Sequence, residues 1–189
     1  MPGTNRAQES CRELPGTLGS PGNLLPTSRR VATGSKTLVL GLGNLILTDD
    51  GVGIYVVREV AARLPAGNGV AFAEASVGGL RLLEVIAGYD RVILVDAIQT
   101  RDGQPGDIHH LTAAGLWASR HAGSTHDLSF GGALILGRSI GMSLPADENI
   151  TIVAVEVEDV LTVSEGCTPA VAAAIPAAAE VVLGLLYRH

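Results

Sequence analysis

Apolar and polar positions along this chain alternate between two patterns. Continuous apolar runs of strand length occur at Thr37-Leu38-Val39-Leu40-Gly41-Leu42 and at Arg91-Val92-Ile93-Leu94-Val95-Asp96. Runs that do not alternate are what a strand needs when both faces of its sheet are covered. Further strands are predicted over about 69–75 and 150–157, with a weak one near 107–111. Between them lie helical patterns. The first covers about 51–64, with Ile54, Val57, Ala61 and Leu64 on one face, and Pro65 and Gly67 stop it. A short helix over 80–87 is closed by Gly88, another is predicted around 114–120, and a longer one over 128–142 carries Gly131, Gly132 and Gly137, which suit close packing on the sheet. Thr168-Pro169 suits a helix start, and an Ala-rich helix follows to the end. Strands alternating with helices predict an α/β fold: a largely parallel sheet with helices on both faces.

Residues 1–36 break this pattern. About half are Gly, Pro, Ser or Thr, and they hold five of the 13 Lys+Arg but two of the 19 Asp+Glu. With no apolar core of its own, the segment reads as a disordered extension or an over-long start, and the domain as residues 37–189. The apolar share of 47% with 3% aromatic predicts a core of Val, Leu, Ile and Ala. A net charge of -6 argues against non-specific binding to nucleic acid or to an anionic membrane. Cys11 and Cys167 form no CxxC pair, so neither a disulfide framework nor a zinc knuckle is expected, and a reducing cytoplasm is the simplest location. No apolar run is counted as approaching the roughly 18–20 residues of a membrane span.

Chemistry is expected where strands give way to helices. The first strand leads into Gly41-Leu42-Gly43-Asn44 and then to Asp49 and Asp50 at the start of a helix. Asp96 closes another apolar run, and His126, in Ser-Thr-His-Asp, precedes the second long helix. Ligands of open α/β sheets bind at the carboxyl ends of the strands, so Asp50, Asp96 and His126 are the candidates to share one rim. Two carboxylates and an imidazole suit a divalent metal with open positions. The bland alternatives are that Asp49 and Asp50 serve a helix dipole, that Asp96 caps a turn and that His126 belongs to a capping loop. His109 and His110 are expected at the surface of an edge strand, and Glu156 and Glu158 as exposed acids. No Gly-x-Ser-x-Gly or His-Glu-x-x-His occurs, which argues against a nucleophile-elbow hydrolase and a zincin. A dinucleotide site fails as well: Ile46 stands at the third fingerprint position, and Glu74 lies too far on for the ribose acid.

Taken together, Leu40 to Gly53, Ile93 to Ile98 around Asp96, Ser124 to Asp127 around His126, and Gly166-Cys167-Thr168-Pro169 resemble the signature segments of the [NiFe]-hydrogenase maturation endopeptidases, in order. The resemblance runs from about Lys36 to the C-terminus and leaves the N-terminal extension without a counterpart. It implies a phosphorylase/hydrolase-like three-layer α/β/α domain. The sheet would be mixed, mostly parallel and five-stranded, with the strand near 107–111 antiparallel. The implied activity is that of an endopeptidase, often classed as aspartic-type, which removes the C-terminal extension of a hydrogenase large-subunit precursor after nickel insertion. The implied cofactor is nickel supplied by the substrate protein, contacted by Asp50, Asp96 and His126. A monomer is the simplest form for a domain that must admit a protein substrate. One departure stands out: Glu74-Ala75-Ser76-Val77 occupies the place where many members carry Asp-Gly-Gly-Thr, which suggests a different subgroup and partner. Two other functions fit the same residues: a non-catalytic nickel-site chaperone, or a small-molecule metallohydrolase.

Overall fold

The computed structural model describes residues 35–65, 67–76, 80–112 and 127–187. Most of the extension over 1–36, the short helix expected around 114–120, the turn after Ser76 and His126 lie outside the described residues. The strands are β1 (Thr37–Leu42), β2 (Val70–Ala75), β3 (Arg91–Ile98), β4 (Ile108–Thr112) and β5 (Ile150–Glu156). The α-helices are α1 (Val52–Arg63), α2 (Leu80–Ile86), α3 (Asp127–Ser139) and α4 (Pro169–Tyr187). They form one five-stranded sheet in the order β2-β1-β3-β5-β4. All neighbours run parallel except β4, which pairs antiparallel with β5 along the edge.

Position in the sheet explains each strand's pattern. β1 and β5 are buried at every residue, and β3 at every residue after Arg91, because helices cover both faces of the central strands. The edge strands β2 and β4 are only partly buried. Leu38, Leu40, Leu42, Val92, Leu94, Ile150 and Ile152 point to one core together with Leu82, Leu83, Phe130 and Leu134 of α2 and α3. Val39, Ile93, Val95, Val153 and Val155 point to the other, with Val52, Val56 and Val60 of α1 and Val171, Ala178 and Val182 of α4. Each fully buried aliphatic side chain contributes roughly 1.5–3 kcal/mol of transfer free energy.

Several expectations need correction. β3 does not end at Asp96: Ala97 and Ile98 continue the ladder by pairing with Val155 and Glu156 of β5. The buried face of α1 is Val52, Gly53, Ile54, Val56, Val57 and Val60, while Ala61 and Leu64 are only half-buried. The face is shifted toward the N-terminus because the helix enters directly over the sheet. Gly137 serves the approach of α3 to α2, since a Cβ there would lie 2.6 Å from Leu83 Cδ1. Finally, α4 has 19 residues and a mean hydropathy of 1.9, long and apolar enough to cross a membrane. The count of apolar runs missed it because Pro176 and Glu180 interrupt the sequence. Its burial is one-sided, with Val171, Ala174, Ala178, Val182 and Leu186 forming a stripe against the sheet and α1.

Candidate active site

The strand order reverses direction at β1: the chain leaves β1 for β2 on one side and returns to β3 on the other. A crevice at such a switch point, beyond the carboxyl ends of the strands, is where open α/β sheets bind ligands. Glycines bring the chain segments at this switch point close together. Gly43, at φ 138°, turns the chain off β1 so closely that a Cβ would overlap the carbonyl oxygen of Asp50. Gly53, in the first turn of α1, is wedged against the carbonyl oxygens of Leu42 and Val95, which end β1 and precede Asp96 in β3. Asp50, three residues before Gly53, and Asp96, next to Val95, therefore both lie near the carboxyl end of β1.

The two adjacent aspartates have separate tasks. Asp49 is fully buried. Its carboxylate accepts the backbone N–H of Thr168 (2.7 Å), the Thr168 hydroxyl (3.1 Å), the Asp159 N–H (3.2 Å) and, at longer range, the Glu158 N–H (3.4 Å). It thus ties the loop after β1 to the loop after β5 and to the first residue before α4. Neither aspartate caps α1, whose N-cap is Gly51 without a side-chain bond. Asp50 is half-buried, and among the described residues its carboxylate makes no hydrogen bond or ion pair. It is left open for a ligand.

Asp96 is 6% exposed, and one of its oxygens accepts the N–H of Ala97 at 2.9 Å. Alternation along β3 places it on the same sheet face as Leu94 and Ile98, the face covered by α2 and α3. Helix α3 begins one residue after His126. Among the described residues no three His, Cys, Asp or Glu side chains gather closely enough to hold a metal. Chemically, a carboxylate such as Asp50 or Asp96 can serve as a hard oxygen ligand or as a general base.

Other acids fall away from the crevice or into structural roles. Glu74 forms a bidentate pair with Arg58 of α1, Nε to Oε1 and Nη2 to Oε2 both at 2.8 Å. Both side chains are substantially exposed, so the pair contributes about 0–1 kcal/mol. Glu156 contradicts its expectation as an exposed acid. It is 2% exposed and accepts the Thr100 N–H (2.5 Å) and the Thr100 hydroxyl (3.0 Å), with His109 Nε2 at 3.2 Å. That contact leaves His109 half-buried, while Glu158 and His110 are exposed as expected. The signal for Glu156 lay in its place at the end of a strand that is apolar but for Thr151, where an unpaired acid is costly. Burial and the neighbouring charge of Asp49 push the Cys167 thiol up to about 11. Cys167 is therefore a neutral thiol at neutral pH. In a Cys11→Ser background, peptide mapping after iodoacetamide treatment at pH 7.5 is expected to show Cys167 alkylating roughly 10²-fold more slowly than a free thiol, with the rate rising toward pH 11. Fast labelling at pH 7.5 would contradict that environment.

Comparison with known proteins agrees with this fold. The hydrogenase maturation protease family model matches residues 54–185. The hydrogenase 2 maturation protease of Escherichia coli (strain K12) is 31% identical over 154 residues, covering 80% of this chain and 90% of its own length. The solved structure of the hydrogenase maturating endopeptidase HybD from E. coli superposes with a TM-score of 0.65 at 32% identity, over 80% of this chain and 91% of that one. The [NiFe] hydrogenase maturation protease HybD from Thermococcus kodakarensis shares the fold, with a TM-score of 0.65 at 22% identity over 80% of this chain and 99% of its own. A family model over most of the domain, a relative 31% identical over 154 residues and a shared sheet lead to one conclusion: the chain belongs to the hydrogenase maturation protease family.

Proposed function

We propose that this protein cuts the C-terminal extension from a [NiFe]-hydrogenase large-subunit precursor once nickel has been inserted, acting as a monomer in the cytoplasm. The observation that carries the reading is the division of labour between neighbours at the switch point: Asp49 is consumed by four hydrogen bonds, whereas the Asp50 carboxylate is bonded to nothing among the described residues. Nickel arrives as part of the substrate. Asp50 and Asp96, together with His126, are the residues of this chain that would contact it, and carboxylate with imidazole donors suits such an ion. Grasping a metal already fixed in the substrate positions the scissile bond by proximity. A carboxylate acting as general base toward water, the aspartic-type alternative, uses the same two aspartates.

Intact-mass analysis of the precursor after incubation with the purified protein tests the reading. Loss of a C-terminal peptide from nickel-loaded precursor, with nickel-free precursor left intact, is the expected result. Tight binding without any cleavage would replace the protease with a nickel-site chaperone. Turnover of small amides or esters, with no action on the precursor, would replace it with a small-molecule metallohydrolase.

A further inference from the structure

Two loops at the carboxyl end of the sheet are laced into a short ribbon. Leu47 and Val163 form an antiparallel bridge. The Thr48 N–H donates to Thr162 O at 2.9 Å, Asp49 N–H to Asp159 O at 2.9 Å, and Ser164 N–H to Ile46 O at 3.2 Å. The Thr48 hydroxyl adds a bond to Thr162 O at 2.7 Å, and the Asp49 carboxylate clamps the base. A loop pair so well fixed has no need of exposed apolar side chains, yet Ile46 is 64% exposed, Leu161 85% and Val163 73%. Exposed apolar groups concentrated on one rigid element mark an interaction surface. The two loops themselves carry charge of one sign, and the loop after β3, tied to Glu158 O by Gln99 Nε2, adds Arg101 and Asp102. Asp50, Glu158, Asp159 and Glu165 lie in or beside the ribbon, and residues 43–57 and 157–187 contain no lysine or arginine. Hydrogen bonds from Thr162 and Leu161 hold the Asp159 carboxyl below the usual range, so it stays charged.

We infer that this ribbon is the docking ridge for the substrate protein, and that it takes a segment bearing apolar side chains flanked by lysine or arginine. The inference rests on the protease reading given above and deepens it. Charge decides between occupants. A second copy would set the same acids against one another, and an anionic membrane surface would be repelled, whereas a basic, apolar segment satisfies both features. The ribbon also runs directly into Asp50, so a chain seated on Ile46, Leu161 and Val163 is delivered to the crevice.

The test measures binding of nickel-free precursor by biolayer interferometry. The Ile46→Ser, Leu161→Ser, Val163→Ser triple variant, with its fold checked by circular dichroism, is expected to bind at least ten-fold more weakly than the natural protein. The Glu158→Lys, Glu165→Lys variant should lose affinity likewise, and raising the salt from about 0.05 to 0.5 M should weaken the natural protein by screening. Unchanged affinity in the triple variant, or no binding by the natural protein, would overturn the ridge. So would sedimentation showing a dimer that the triple variant dissociates, because a second copy would then cover the patch. Ribbon-dependent binding with no cleavage of nickel-loaded precursor would retain the ridge and overturn the protease reading instead.

Discussion

Asp50→Asn is expected to leave the protein folded while lowering processing of nickel-loaded precursor by about 10²-fold or more. The side chain is half-buried and, among the described residues, is bonded to nothing, so its amide isostere removes charge and ligand strength without breaking a structural contact. Its stability should stay within about 0.5 kcal/mol of the natural protein. One residue earlier the outcome reverses. Asp49→Asn turns an acceptor-only group into one that, whichever way the amide turns, presents N–H either to the Thr168 N–H or to the Asp159 and Glu158 N–H groups, which costs roughly 2–4 kcal/mol. Urea unfolding and intact-mass assays on the two variants separate the roles. Full processing by folded Asp50→Asn would remove Asp50 from the site, and equal stability of the two variants would undo the division between them.

Much of this arrangement is legible in the chain before any coordinates. The central strands announce themselves because burial on both faces demands unbroken apolar runs, and Asp96 stands out as an acid placed in one of them. The division between Asp49 and Asp50 is not legible. Both are aspartates before a helix, and the partners that claim Asp49 lie 109 to 119 residues further on, in a loop with no regular pattern. Glu156 is hidden for a similar reason. Its partners Thr100 and His109 sit on a loop and on an antiparallel edge strand whose register no local pattern sets. The extension of β3 past Asp96 depends on the ladder to β5 rather than on local preference. Sequence pattern therefore locates the carboxyl ends of the strands, and only tertiary pairing decides which acid is held and which is left open.

Gly53→Ala is expected to be strongly damaging, costing about 3 kcal/mol or more in urea unfolding and lowering processing with it. The added methyl would overlap the carbonyl oxygens of both Leu42 and Val95. These are main-chain atoms of neighbouring strands in a hydrogen-bonded ladder, so no rotamer change relieves the contact. The approach is nearly as tight from the other side, where a Cβ on Gly41 would sit 2.6 Å from Gly53 O and 2.9 Å from Ile54 Cα. Relief requires the N-terminus of α1 to lift off the sheet, and that motion displaces Asp50, three residues earlier. Gly184→Ala is the matched control. It lies inside α4 with nothing within 4 Å of the added Cβ, and it should stabilise by about 0.5–1 kcal/mol through helix propensity alone. Equal unfolding midpoints for the two variants would mean that α1 is not seated on β1 and β3 as closely as the crevice requires.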